Sequence, residues 1–225
     1  MKTQRKTFAT LGPRERLLEF GAQALNDAEL LAILLRTGTL QLHVVEFAQQ
    51  LLNTYGGLRE LLHASADSLM SQSGIGQAKA SEILAVSELS KRSLEQKLKQ
   101  GPTFNQTHVV KRYCIAHLGH LDIEHCMAIF LNTQLQLIVT QEIARGTLNQ
   151  AFVYPREVVK AALQHHAAAV ILAHNHPSGA REPSAADISL TKHLRKALAL
   201  VDIKLIDHVI VAGHYACSMA EEGLI

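Results

Sequence analysis

The feature that most constrains this chain is a short run of unlike parts: Ala173-His174-Asn175-His176-Pro177, a spacer from Ser178 to Pro183, then Ser184-Ala185-Ala186-Asp187. Ala167 to Ala173 is continuously apolar and reads as a buried strand. His174 and His176 leave its end two residues apart, so an extended backbone turns both imidazoles to one side. Ala185 to Leu200 reads as a helix, with Ser184 as its cap and Asp187 in its first turn. Two imidazoles and a carboxylate at a strand end and a helix start are metal ligands by type. Three protein ligands leave a fourth tetrahedral position for water, which separates a catalytic zinc site from a structural one. The bland alternative is a structural hydrogen-bond network made by the same three side chains.

The surrounding segments frame this run as α/β. Cys126 to Leu131 and Leu135 to Ile143 are apolar stretches around Asn132-Thr133-Gln134, the pattern of an antiparallel hairpin. Pro155 opens a helix to about His166, and Ile203 to Ala212 with His214 to Ser218 form a second hairpin turning at Gly213. The first hundred residues read as helices instead. Asn26 and Glu29 form a capping pair ahead of Leu30 to Leu35, and Val44 to Tyr55 ends at Gly56-Gly57. Leu58 to Leu62, Ala66 to Ser71 and Gln77 to Ser93 follow as further helices. Between Gln96 and Thr107 the leucine-rich periodicity gives way to Lys, Gly, Pro, Gln and Asn. Two domains are therefore expected: residues 1–100, all helical, and residues 103–225, a mixed-sheet α/β domain.

The spacing H-x-H-P, six residues, S-x-x-D closely resembles the JAMM motif of the JAB/MPN metallopeptidases, and a chance match in a chain of this size is on the order of one in ten thousand. More narrowly, His174-Asn175-His176-Pro177-Ser178-Gly179, Arg145-Gly146-Thr147-Leu148-Asn149 and Tyr154-Pro155-Arg156-Glu157-Val158 resemble the RadC family over essentially the whole chain. The resemblance implies a JAB/MPN (cytidine-deaminase-like) fold. It also implies a zinc-dependent metallopeptidase or isopeptidase-like hydrolase, with one Zn²⁺ per chain on His174, His176 and Asp187 and a peptide or protein substrate. Glu142, near the end of its strand, takes the place of the family's general base, and Ser184 that of a hydrogen-bond donor to the substrate oxygen. Asn175 stands where many JAMM peptidases carry Ser or Thr. RadC proteins have traditionally been called DNA repair proteins, so the competing reading is a DNA-binding accessory protein in repair or recombination, with a metal site that is structural or differently used.

That second reading has its own motif. Ser73-Gly74-Ile75-Gly76-Gln77-Ala78-Lys79 looks like a helix-hairpin-helix, whose backbone amides at Gly74 and Gly76 can meet a DNA phosphate, with Lys79 adding a charge. The same turn also serves as plain helix packing. Residues 1–100 hold 12 basic and 10 acidic side chains, and the whole chain has a formal charge of +2, so no broad field draws it to nucleic acid. Aromatics at 4% with no Trp exclude base-stacking platforms. The start Met1 to Lys6 leads into no apolar run, and no stretch has the roughly 20 apolar residues of a membrane helix. Cys114, Cys126 and Cys217 form no short-spaced pair and read as reduced thiols of a cytoplasmic protein. His165, His166, His208 and His214 read as surface or satisfied core histidines. Arg145 and Arg156 read equally as substrate contacts or as surface and ion-pair groups.

Overall fold

A computed structural model describes residues 11–100, 107–146 and 153–225. The chain divides into two compact units between Leu89 and Ser90. The first unit is helical. α1 (Pro13–Phe20), α2 (Asp27–Leu35), α3 (Val44–Tyr55), α4 (Leu58–His63) and α5 (Ala66–Met70) precede α6 (Gln77–Gln100). The capping pair at α2 forms as read: Glu29 N–H donates to Asn26 Oδ1 at 2.9 Å, and Asn26 N–H to Glu29 Oε2 at 3.1 Å. Gly56 ends α3 in the left-handed conformation, φ 85°, where a side chain would be strained. Leu31, Leu35, Phe47, Leu51, Leu61, Leu69 and Ile83 make the core. The dividing point lies inside α6 and ahead of the compositional shift, because Leu94 already packs on the core of the second unit. Residues 101–106 of that shift lie outside the described residues.

The second unit is a five-stranded mixed sheet between helices. β1 (His125–Leu131), β2 (Leu137–Arg145), β3 (Ala169–Asn175), β4 (Lys204–Ala212) and β5 (Tyr215–Ser218) lie in the order β2-β1-β3-β4-β5, with only the β3–β4 pair parallel. Both hairpins read from the sequence are present. β2 begins two residues later than expected because Asn132 Oδ1 accepts from Gln134 N–H and Gln136 N–H, both at 2.9 Å, and so extends the turn. β1 and β3 are buried along their whole length, as central strands covered on both faces must be.

Alternation divides the sheet into two cores. Met127, Ile129, Ile171, Val209 and Val211 pack against α7 (Thr107–Leu118) through Val110, Tyr113 and Cys114. Cys126, Ala128, Phe130, Val170 and Leu172 pack on the other face against α8 (Pro155–Gln164) and α9 (Ala185–Ala199) through Val158, Ala162, Leu194 and Leu198. α7 is an element the sequence reading passed over. Its buried positions 109, 110, 113, 114 and 118 have helical spacing, but Lys111, Arg112 and two histidines interrupt it. Among the described residues no helix is long and apolar enough to cross a membrane, and all three cysteines are free and buried.

The α5–α6 turn makes unequal demands on its two glycines. Gly74 has φ +90°, and a Cβ there would meet Thr39 Cγ2 at 2.5 Å and Phe47 Cζ at 3.0 Å, whereas a Cβ at Gly76 meets nothing within 4 Å. Gly74→Ala should therefore cost about 1–3 kcal/mol, the range for a strained backbone. Gly76→Ala should stay within about 0.5 kcal/mol. Denaturant melts of the two variants check the contrast.

Candidate metal centre

β3 carries the first ligand on the alternation that faces α8 and α9: Val170 and Leu172 are in that core, and His174 continues the series at the strand end. The backbone N–H of His176 donates to Val211 O at 2.7 Å, which extends the strand-like pairing and returns the second imidazole to the same side. Asn175, between them, turns to the opposite side. Its amide donates to Leu121 O at 3.0 Å and Ile123 O at 2.9 Å, and its Oδ1 accepts from His125 N–H at 2.7 Å. Every hydrogen-bonding position of that buried amide nitrogen is used, and the segment entering β1 is pinned to the end of β3.

Pro177 and Ser178 turn the chain, Gly179 supplies φ +80°, and α9 opens on a capping box. Ser184 Oγ accepts from Asp187 N–H at 3.1 Å, while Asp187 Oδ2 accepts from Ser184 N–H at 2.7 Å and from the Ser184 hydroxyl at 2.6 Å. The cap thus aims the carboxylate. His174 Nε2 lies 3.0 Å from His176 Nε2 and 3.1 Å from Asp187 Oδ1, and His176 Nε2 lies 3.3 Å from Asp187 Oδ2. Ligands bound at 2.0–2.1 Å in a tetrahedron are separated by about 3.3 Å. The two short contacts to Asp187 use different oxygens, but one ligand atom from each of the three residues lies within 4.8 Å of the others, close enough to converge on one divalent ion, and the side chains of His174, His176 and Asp187 are only 10–13% exposed. Burial opposes ionisation of Asp187, but hydrogen bonding to His174 and His176 outweighs it and holds the carboxyl well below the usual range. Hydrogen bonding to Asp187 likewise raises His176 against the opposing effect of burial.

His208 is a satisfied core histidine, as read, but it belongs to this site: its Nε2 lies 2.8 Å from His174 Nδ1 and its Nδ1 2.6 Å from Thr191 Oγ1. Full burial, with the nearby His174 charge adding to it, pushes its pKa well down and keeps it neutral.

One expected position requires correction. Glu142 is not beside the ligands. It pairs in register with Met127, whose side chain is in the α7-side core, and its Oε2 lies 2.6 Å from His125 Nδ1 among Tyr113, His117 and Thr140. β2 thus delivers Glu142 to the sheet face opposite His174. The acidic residue on the ligand side is Glu124. It directly precedes β1, in phase with Cys126, which pairs with His174. Gly146 N–H donates to its backbone carbonyl at 2.8 Å. Its charge reaches the site: after burial and Asp187 it helps raise the Cys126 thiol, and it is among the influences raising His176. The sequence signal for Glu124 is an acidic residue two positions ahead of a buried strand residue, which identifies a site only once the β1–β3 register is known. The hydroxyl of Ser184, the residue expected to donate to a substrate oxygen, donates to Asp187 Oδ2 at 2.6 Å, so the same side chain caps α9 and supports the carboxylate.

The hairpin residues lie in the first unit. Gly76 and the two residues after it are exposed. Lys79 is not offered to a phosphate: its Nζ donates to Gly38 O at 3.2 Å and Gly74 O at 3.1 Å and sits 4.9 Å from the centre of the Phe47 ring. It clamps the turn to the loop before α3. Arg156 lies over the Tyr154 ring at 5.0 Å and beside Glu157 at 3.3 Å; Arg145 ends β2 and is exposed. His165 Nε2 lies 2.9 Å from Gln141 Oε1. Thr147 to Asn149 fall outside the described residues.

Residues 104–224 match the family model of the RadC-like JAB domain, and residues 6–81 match that of the UPF0758 N-terminal domain. This chain belongs to the RadC-like UPF0758 family. A UPF0758 protein of Bordetella avium is 54% identical over 95% of each chain. One from Variovorax paradoxus and one from a Marinomonas species are each 51% identical over 95% of each chain. The JAB match covers the sheet and all three ligands, so the centre lies within the shared domain.

Titration of the metal-free protein should show one divalent ion per chain, lost in His174→Ala and Asp187→Ala and kept in Glu142→Gln. Ser184→Ala should lower stability by about 1 kcal/mol through the lost cap. The same change should weaken metal binding about 10–100-fold by freeing the carboxylate. Thermal melts and chelator competition measure the two effects.

Proposed function

We propose that this protein is a zinc-dependent hydrolase of the JAMM type acting on an amide or isopeptide bond in a peptide or protein. The observation that carries the reading is the convergence of His174 Nε2, His176 Nε2 and Asp187 at the carboxyl end of β3, with Glu124 entering on the same side. The carboxyl end of a parallel pair, at the start of the following helix, is where open α/β sheets place ligands. Two imidazoles and one carboxylate suit zinc and leave its fourth position open.

Zinc held there supplies Lewis acidity, which lowers the pKa of water toward neutrality and polarises a carbonyl. The chain's own groups do the rest. Asp187 and the two imidazoles form the floor, kept rigid by the α9 cap. Glu124 is the general base: its carboxylate accepts the proton of the attacking water and returns it to the leaving nitrogen. Asn175 holds the residues on either side of Glu124, and so sets where the base stands relative to the ligands.

A screen of peptide and isopeptide substrates with the zinc-loaded protein tests this. Glu124→Gln should keep the ion and lose about a hundred-fold or more in turnover, while Glu142→Gln should retain near-normal turnover. Equal loss in both variants, or no amide hydrolysis by the zinc-loaded chain, would refute the assignment.

The competing reading, a DNA-binding accessory protein, is favoured by one observation: Gly76 to Ala78 are exposed at the start of α6, with open space where a Cβ at Gly76 would stand. The first amides of a helix lack intrahelical partners and suit a phosphate. DNA bound this way should be held weakly, without sequence preference and with a shallow salt slope. Gly76→Val should weaken that binding and leave the melting temperature nearly unchanged. Lys79→Glu should instead lower the melting temperature, because it opens the clamp on Gly38 and Gly74. Fluorescence anisotropy at low salt, paired with melts, separates the effects.

A further inference from the structure

The sheet face opposite His174 holds a cavity of about 310 Å³, at the small end of the range for ligand pockets, between α7 and the strands β1 and β2. His125 and Glu142 meet in it. The His125 side chain is only 9% exposed, whereas that of Glu142 is 55% exposed and stands at the mouth. Tyr113 and His117, with ring centroids 4.3 Å apart, form an aromatic wall. The Tyr113 hydroxyl is engaged, donating to Thr140 Oγ1 at 2.9 Å. Leu118, Leu121 and Met127 supply an apolar lining.

One polar atom of the buried ring is unused. His125 Nδ1 lies 2.6 Å from Glu142 Oε2. A carboxylate only accepts, so Nδ1 carries the proton, and in the neutral ring Nε2 presents a lone pair. Among the described residues none hydrogen-bonds to His125 Nε2 or to Glu142 Oε1. An acceptor on a ring this buried costs free energy unless a donor reaches it, and the side from which one can come is the cavity.

The charge along the lining has one sign. Glu95 and Glu142 are part of it, and no described lysine or arginine is. Burial pushes the Tyr113 phenol up to about 12 against the hydrogen bond to Thr140, and the Glu95 charge adds to the rise. A matching ligand brings N–H donors for two acceptors, a positive charge and an apolar stem. A planar guanidinium has that donor fork and packs on aromatic rings.

We propose that this cavity is a binding site for an alkylguanidinium, which donates to His125 Nε2 and Glu142 Oε1 and lays its stem along Leu118, Leu121 and Met127. None of these groups is among the metal ligands, so this reading and the metal reading stand or fall separately.

Calorimetric titration of the metal-free full chain with n-butylguanidinium chloride tests it, with n-butylurea as a neutral compound of the same shape. The guanidinium should bind at one site per chain with a Kd on the order of 1 mM, the scale for so small a fragment. The urea should bind at least about ten-fold more weakly, and Glu142→Gln, which keeps shape and removes charge, should lower guanidinium affinity by about ten-fold or more. In wild-type protein the NMR signals of the His125 and Tyr113 rings should shift saturably with the guanidinium, a reading that needs no variant to fold. Nα-acetylargininamide distinguishes two sources of the same chemistry. Binding as tight as that of n-butylguanidinium assigns the site to an arginine side chain of a peptide, and its exclusion assigns the site to a free guanidine. Equal binding of guanidinium and urea, unchanged affinity in Glu142→Gln, or His125 ring signals that stay fixed throughout the titration would overturn the proposal.

Discussion

Asp187 performs two tasks with one carboxylate, and the centre depends on their compatibility. As the third residue of α9 it closes the capping box with Ser184, which fixes the carboxylate to the helix start. The same group lies 3.1 Å and 3.3 Å from the two imidazoles that leave β3. A capping carboxylate is stabilised by the helix N-terminus as well as by its hydrogen bonds, so it remains ionised although largely buried. The strand-to-helix junction and the candidate metal centre are therefore one structure. Disturbing the cap disturbs the ligand.

The pleat of the sheet then sorts every other polar group. On the α7 side stand His125, Glu142, Tyr113 and Thr140, joined by bonds of 2.6 Å between His125 and Glu142 and 2.9 Å between Tyr113 and Thr140. On the α9 side stand His174, His208 and Thr191. Glu124 and His125 are neighbours in sequence, yet the alternation sends them to different faces. Asn175 links the two sides: it lies between two ligands, points away from them, and secures the backbone that carries Glu124 and His125. A change on either face can therefore be felt on the other through one buried amide.

The helical unit shows the same economy with charge. Lys79 has an apparent surplus positive charge beside a glycine turn, the usual appearance of a phosphate contact. Two carbonyls and an aromatic ring occupy it. Gly74 is required by backbone conformation and by the closeness of Thr39 and Phe47, while Gly76 is required by neither. The turn is built for packing on its inner side and leaves its outer side open.

Much of this was legible in the chain itself. Asn26, Gly56-Gly57, Ser184 and Pro155 mark helix ends because capping and turn chemistry act over three or four residues, a range a linear sequence displays. His174, His176 and Asp187 were legible for the same reason: strand alternation, a short spacer and a cap are all local. α7 was obscured because charged residues interrupt its apolar positions. The sequence alone does not place Glu142 on a face, because strand parity becomes a side of the sheet only once a partner and register are chosen, and a shift of one residue reverses it. Glu124, His208 and Thr191 were recognisable only after folding. His208 meets His174 across 34 residues and Thr191 across 17, β1–β3 pairing brings Glu124 to the ligand side, and no local periodicity records which strands become neighbours.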